Sequence, residues 1–320
     1  MYSALIVGLG QIGMGYDLSL APDQFVYSHA RALSLHPEFK LVGGVDPDRA
    51  KRRDFQKNYE VPAFEQLEEA LGQHQVDLVV IATPTRTHFH TMKLVLENAL
   101  PKAILCEKPL SFRHQESREM LSVCRTKKVS LFVNYMRRSE PGAIEVRRRI
   151  DNAEIASPVK GVAWYSKGFL HNGSHLFNLL QFWLGEVRDF AVIRVGRDLE
   201  EGDAEPDLQV EFEMGSVMFL AVKEEQFSHN SIELIAANGR LRYEYGGRNI
   251  EWTSTSTDKN LKNYVFLDSN SEKITSKLNQ YQTCVLQELA SALRGDTAHL
   301  CKGEEAHVTL KTMHSILAKR

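Results

Sequence analysis

The chain has 320 residues, with 39 Lys+Arg against 41 Asp+Glu and a formal net charge of -2. At roughly 150 residues per domain, that length predicts two domains, each large enough for its own core. A hydrophobic share of 43% excludes a disordered chain, and the balanced charge removes the electrostatic reason to expect nucleic acid or an anionic membrane as a partner.

In chain order, residues 3–8, 39–46, 76–82, 102–106 and 129–133 are apolar runs rich in β-branched residues. Runs without alternation suit strands buried on both faces, as in a parallel sheet. Between them, 48–59, 87–98 and 114–127 have helical spacing, the first opened by Asp46-Pro47 as an N-cap/N1 pair. Alternation of this kind predicts a doubly wound α/β domain with ligands at the carboxyl ends of its strands.

The second half changes character. Strands are expected at 159–166, 189–195, 207–213, 216–223, 231–236, 240–245 and 249–254, with tight turns at Met214-Gly215 and Asn238-Gly239. Helices are expected at 174–184, 278–294 and 303–319, and the polar stretch 255–275 reads as a surface excursion. The pattern is that of an α+β domain on a largely antiparallel sheet.

The first Lys or Arg is Arg31, so a charged signal start and an Arg-rich transit face are both missing. The uncharged stretch 168–184 contains His171, Asn172, His175, Asn178 and Gln181, which hydrocarbon penalises. Cys106, Cys124, Cys284 and Cys301 form no CxxC pair and read as buried thiols of a reduced, cytoplasmic protein.

Gly8-Leu9-Gly10-Gln11-Ile12-Gly13 fits G-x-G-x-x-G directly after the first strand. Its glycines serve a tight turn, close approach to a pyrophosphate and helix–strand packing, and the following helix start offers N–H groups to phosphate. Asp46, ending the second strand, can accept ribose hydroxyls and repel a 2′-phosphate. NAD is therefore expected over NADP, with Arg49 and Arg52 as the residues that could weaken the preference. Asp46 lies 33 positions after Gly13, where about 20 is usual. The surplus falls at 16–28, either an inserted loop beside the cofactor or a longer ordinary connection.

Taken together, GLGQIG at 8–13, GVDPD at 44–48, ATPTRTH at 82–88 and CEKP at 106–109 resemble the glucose–fructose oxidoreductase / inositol dehydrogenase / rhizopine-catabolism (Gfo/Idh/MocA) family. NYMRR at 134–138, HNGSHLFNLLQFWLG at 171–185 and GEEAHVTLKTMHSIL at 303–317 extend the resemblance over nearly the whole chain. It implies a Rossmann domain over 1–135, an open-faced sheet domain for substrate and oligomerisation over 136–302, and a last helix, 303–320, packing back on the first domain. It also implies a homodimer or homotetramer formed through that sheet.

By the same resemblance Lys108 is the catalytic lysine and Pro109 a cis proline, with Glu107 orienting the lysine or touching the cofactor. His175 matches the catalytic histidine, the alternative being a structural one. Thr83, Pro84 and His88 match the loop under the nicotinamide, and His171 and Asn172 fall on the substrate side. Asn134 and Arg138 follow the strand at 129–133, where substrate should sit; Arg137-Arg138 as a solvated interdomain pair is the alternative. Chemistry supports the lysine, because alcohol oxidation needs a base, ketone reduction needs an acid, and a partly desolvated lysine can be either.

The chain also departs from the family. His171 stands where inositol-dehydrogenase-like members carry aspartate, and Asn178 replaces the aspartate of HxxD. No acidic residue lies between Glu154 and Glu186, while Lys160, Lys167, His171 and His175 do. With a helix N-terminus near His171, this predicts an anionic substrate such as a sugar nucleotide, sugar phosphate or uronate. His171 and His175 have zinc-pair spacing without a Glu or Cys companion, so no metal is expected.

The leading expectation is an NAD-dependent oxidoreductase acting on a hydroxyl or ketone of a sugar, cyclitol or anionic sugar derivative. A non-catalytic, nicotinamide-responsive regulatory protein on the same fold is the alternative; an assembly module using its open sheet is compatible with either.

Overall fold

The computed structural model describes residues 1–258, 260–261 and 263–320. The chain divides into two compact units, Met1–Ser139 with Asn279–Val308, and Glu140–Leu278 with Thr309–Arg320. Among the described residues no helix is long and apolar enough to cross a membrane. All four cysteines are buried, and none forms a disulfide among the described residues.

The first unit alternates β1 (Tyr2–Val7), α1 (His29–Leu35), β2 (Phe39–Val45), α2 (Arg49–Tyr59), β3 (Ala63–Phe64), α3 (Leu67–Gln73), β4 (Leu78–Ile81), α4 (Thr85–Asn98), β5 (Ala103–Cys106), α5 (His114–Lys127) and β6 (Ser130–Val133). Its strands form one parallel sheet in the order β3-β2-β1-β4-β5-β6. Side chains alternate between two core layers: Leu5, Val7, Val79, Ile81 and Ile104 enter one, Ala4, Ile6, Leu78, Val80 and Leu105 the other. Both layers are apolar, which is why the strands read as unbroken hydrophobic runs. Strand order reverses between β1 and β4, opening a crevice at their carboxyl ends.

The second unit begins with α6 (Pro141–Asp151), β7 (Val159–Tyr165), a π-helical segment at Gly168–Gly173 and α7 (Ser174–Leu184). It continues through β8 (Val187–Arg194), β9 (Asp207–Phe212), β10 (Gly215–Ala221), β11 (Ser231–Ala236), β12 (Gly239–Glu244), β13 (Asn249–Thr257), β14 (Val265–Leu267) and β15 (Glu272–Ile274). Among the described residues these nine strands make a mixed sheet in which β7 and β10 are parallel and the other pairs antiparallel. One face buries Ala163, Val217, Phe219, Leu234 and Leu241 with Phe177 and Trp183 of α7. On the other face Trp164 and Ile235 are exposed. The α/β class with a second, largely antiparallel sheet is as the sequence predicts.

Four expectations change. The stretch 255–275 carries the end of β13 with β14 and β15, because alternating Thr/Ser, the triplet Val265–Leu267 and the mostly charged Glu272–Ile274 pair at a sheet edge without a strong hydrophobic signal. The α2 cap is Asp48, whose carboxylate accepts from Ala50 N at 2.8 Å, not Asp46. Helix α8 (Tyr281–Arg294) sends Val285, Leu286, Leu289 and Ala290 into the core layer of Ala4 and Ile6. Residues 136–302 are therefore not one domain; an amphipathic stripe shows that α8 has a partner, not which one. The last helix, α9 (Gly303–Leu317), counts only its first residues with the first unit, and Met313, Ile316 and Leu317 enter the core of the second.

The surplus at 16–28 is an insertion within a helix. Gly10–Tyr16 make one turn, with Met14 N on Gly10 O at 2.9 Å. The chain then leaves and returns, and His29 N bonds Ile12 O at 3.0 Å and Ala30 N bonds Gly13 O at 2.9 Å. Discounting the 13 inserted residues, these are the i→i−4 bonds of a continuous helix. The same discount brings the Gly13–Asp46 spacing from 33 to 20, the usual value.

Buried Asp17 closes the insertion, accepting from Tyr27 N at 2.6 Å, Ser28 N at 2.8 Å and Ser28 Oγ at 2.6 Å. Arg31 lies 3.7 Å from it and also donates to the Leu20 and Phe25 carbonyls. Removing this carboxylate orphans buried donors and takes the counter-charge from a buried guanidinium. Asp17→Ala is expected to cost about 3–5 kcal/mol, against about 1 kcal/mol for the exposed cap Asp48→Ala, both read by urea denaturation; equal costs would show that Asp17 does not close the insertion.

Candidate functional site

The glycine loop has the steric logic of a phosphate cradle. Gly8 has φ +101°, and a Cβ there would meet the Ala82 carbonyl carbon at 2.6 Å. A Cβ on Gly13 would land on the Gly8 carbonyl oxygen, whereas one on Gly10 would meet nothing within 4 Å. Gly10 thus faces open space, the place for close approach of a ligand. The first N–H bonded within the following turn is that of Met14, so those of Gln11, Ile12 and Gly13 lead the turn.

Asp46 is buried at the end of β2 and is tied to the loop: Oδ2 accepts from Leu9 N at 2.8 Å, and Oδ1 from Asp48 N at 2.9 Å. Lys51 Nζ lies 3.6 Å from Oδ2. Arg52 is committed elsewhere, donating to the Asp46 and Pro47 carbonyls and to Glu65 at 2.8 Å each, while Arg49 is exposed.

Beyond β4, β5 and β6 come Thr83, Glu107 and Asn134. His88 is fully buried; its Nε2 donates to Thr83 O at 2.9 Å, and Nδ1 lies 3.2 and 3.3 Å from the Pro109 and Leu110 carbonyls. Burial pushes this imidazole below its ordinary value. His88 therefore ties the loop after β4 to the loop after β5 instead of lining the surface beside exposed Pro84.

Lys108 is half-buried, and its bond to Pro109 is cis. Glu107 just before it accepts on Oε1 from Asn134 Nδ2 at 2.6 Å and lies 2.7 Å from His29 Nε2. Burial acts to raise the Glu107 carboxyl, but the hydrogen bonds from His29 and Asn134 and the charge of Lys108 hold it below the usual range. Thr83 Oγ1 and Asn134 Oδ1 are buried without a partner among the described residues. Buried orphan acceptors and donors are costly unless a ligand or water meets them. An open Gly10, a turn led by free-facing N–H groups and these orphan atoms all fit a dinucleotide along this edge.

Arg138 is buried; its Nε donates to His299 O at 2.9 Å and its guanidinium pairs with Glu305 at 2.8 Å. It is neither a solvated residue nor an exposed cation for a substrate anion.

In the second unit His171 is exposed, Asn172 and His175 are half-buried, and Asn178 is buried. The start of the π-helical segment is capped from within the chain. Buried Asp203 accepts from Leu170 N at 2.8 Å and His171 N at 3.0 Å, and Glu205 from Gly168 N at 3.1 Å. Burial pushes the Asp203 carboxyl up against these bonds. Lys167 Nζ lies 3.8 Å from Glu224. The expected unopposed positive wall is thus answered by acids from distant sequence. Among the described residues no group of three or more His, Cys, Asp or Glu could hold a metal ion.

Sequence reasoning missed His29 and Asp203. The interrupted helix hides the first; a 32-residue separation from His171 hides the second.

Residues 3–135 match a family model, GFO_IDH_MocA, described as an oxidoreductase family with an NAD-binding Rossmann fold. The chain is 31% identical over 166 residues to scyllo-inositol 2-dehydrogenase (NAD(+)) of Bacillus subtilis, covering 51% of this chain and 43% of that protein. It is 31% identical over 194 residues to inositol 2-dehydrogenase of Rhizobium meliloti, covering 55% and 57%. The matches thus span about half the length of these curated relatives. An NAD-binding oxidoreductase structure from Klebsiella pneumoniae shares the fold at TM-score 0.80 and 16% identity, over 100% of this chain and 97% of that one.

The cradle makes a contrast that can be measured. Gly10→Ala is expected to leave stability within about 0.5 kcal/mol but to weaken NADH binding at least about tenfold by blocking close approach. Gly13→Ala should instead lose stability outright. Denaturant melts and NADH fluorescence titration check both; unchanged NADH affinity in Gly10→Ala would place the dinucleotide elsewhere.

Proposed function

Given that residues 3–135 are a domain of the Gfo/Idh/MocA oxidoreductase family, we propose that the chain is an NAD-dependent oxidoreductase. It acts on a secondary hydroxyl, or the corresponding ketone, of a sugar or cyclitol. The observation that carries this reading is Lys108 at the carboxyl end of β5, beside an anchored carboxylate, on the same sheet edge as the glycine cradle.

In this reading Gly8, Gly10 and Gly13 hold the pyrophosphate with the N–H groups of Gln11 and Ile12, and Asp46 meets the adenosine ribose. Bound NAD would supply the hydride acceptor, or NADH the donor. Lys108 takes the hydroxyl proton in oxidation or returns it in reduction. His175 is the candidate second acid–base group, with Asn134, His171 and Asn172 as candidate substrate contacts. Thr83 Oγ1 and Asn134 Oδ1 offer polar partners to the ligands at this edge.

A preference for anionic sugars loses its main support, because Asp203 already fills the helix start that was to receive the anion. Neutral cyclitols and sugars are therefore substrates of equal standing. Association of copies through the open sheet face is part of the proposal, supported by exposed Trp164 and Ile235. A nicotinamide-responsive regulator would have no need of an acid–base lysine.

Asp46 should make NADH bind more tightly than NADPH, with Lys51 limiting the difference; equal or tighter NADPH binding in a fluorescence titration would overturn this. Lys108→Ala should cost at least about 10²-fold in turnover, with smaller change in NADH affinity. The assay is a panel of cyclitols and sugars in matched neutral and anionic forms. Wild-type turnover in Lys108→Ala would remove the acid–base role, and no turnover by wild type on any member would favour the regulator.

A further inference from the structure

We propose that His29 is a positioning residue of the reaction centre: with Asn134 it fixes the Glu107 carboxylate as an anion beside Lys108, and thereby sets the protonation of the lysine. This rests on the reading of Lys108 as the acid–base group.

The geometry is specific. One oxygen, Glu107 Oε1, takes Asn134 Nδ2 at 2.6 Å and lies 2.7 Å from His29 Nε2. The side chain of His29 is 1% exposed and that of Glu107 12%. Neither can swing into water without leaving the other buried and unpaired, a costly state for a charge. His29 Nδ1 is buried with no partner among the described residues, so the proton of the neutral ring belongs on Nε2, where it donates to the carboxylate.

The histidine is held there by backbone bonds, because His29 N and Ala30 N complete the ladder begun at the glycine loop. The insertion that delivers it is pinned independently. Tyr27 stacks on Tyr281 with centroids 5.3 Å apart, and Tyr281 Oη donates to Tyr27 O at 2.9 Å.

The groups that face Glu107 electrostatically come from each neighbouring element: His29 of α1, His88 of α4, Cys106 of β5, Lys108, and Tyr281 of α8. Burial drives His88, Cys106 and Tyr281 toward their neutral forms. Lys108 is the cation that this anion can hold. An anion within a few ångström favours an ammonium by about 1–3 pH units. Without the donor from His29, burial would favour the neutral acid form of Glu107, and Lys108 would lose its counter-charge.

The test is competitive acetylation of the free protein with acetic anhydride from about pH 6 to about pH 11, spanning the ordinary lysine range, with Lys108 read by peptide mass spectrometry. The midpoint reports its protonation and the high-pH plateau its accessibility. His29→Leu and Glu107→Gln should each lower the midpoint by about one pH unit or more with the plateau unchanged. His29→Gln keeps an N–H donor of similar reach and should stay within a few tenths of wild type. Equal midpoints in wild type, His29→Leu and Glu107→Gln overturn the proposal, as does a His29→Gln midpoint matching that of His29→Leu. If His29→Leu does not fold, Glu107→Gln against His29→Gln decides. No substrate is needed, so a null result on the sugar panel would sink the enzymatic reading while the midpoint shift stood by itself.

Discussion

The first unit turns on one constraint: a helical ladder begun at the glycine loop has to be completed across 13 extra residues. The bonds from His29 N to Ile12 O and Ala30 N to Gly13 O close it. Successive residues of a helix are turned by about 100°, so a splice one residue out of register would swing His29 away from Glu107. The buried Asp17–Ser28–Arg31 knot holds the two ends of the insertion where the splice needs them. The cofactor cradle and the anchored carboxylate are thereby two products of one backbone arrangement.

A different economy governs the helix start in the second unit. The leading N–H groups of a helix attract an external anion only when the chain does not supply one. Here Asp203 and Glu205 supply two carboxylates to three N–H groups. Glu205 in turn pairs with Arg197, so the cap is part of a charge network internal to the unit. Whatever His171 and His175 do, they do it on a segment whose partial positive charge is already compensated.

Most of the sheet framework was legible because burial on both faces writes long apolar runs, and amphipathic helices between them write a 3.6-residue period. The segments 231–236 and 174–184 are found with those bounds in the structure. Short elements escaped: β3 has two residues and α3 seven, too few for a period to emerge. α1 escaped for another reason, since half of its ladder lies on the far side of an insertion. In the candidate site, local motifs carry the glycines, Asp46 and Lys108, so these are positions that a sequence can nominate. The burial of Arg138 against Glu305, 167 positions away, and the capping by Asp203 are long-range facts with no local signature. Charge counted along a segment leaves out its neutralising partners, which here lie elsewhere in the chain.

The departures from the family pattern also form a consistent set. Thr309 Oγ1 donates its one proton to Gln181 Oε1 at 2.6 Å, so it can only accept from its other neighbour. Asn178 Nδ2 donates to it at 3.1 Å. An aspartate at 178 would set carboxylate lone pairs against those of the hydroxyl, and relieving the clash would take the proton away from the half-buried Gln181. An asparagine at this position thus suits the hydroxyl that α9 presents. A carboxylate–histidine pair stands in the first unit, between half-buried Glu107 and buried His29. Glu107 directly precedes Lys108, so this pair stands next to the proposed acid–base residue. On the proposed reading of Lys108, an anion anchored in the lysine's own loop supplies a counter-charge without an acid from α7.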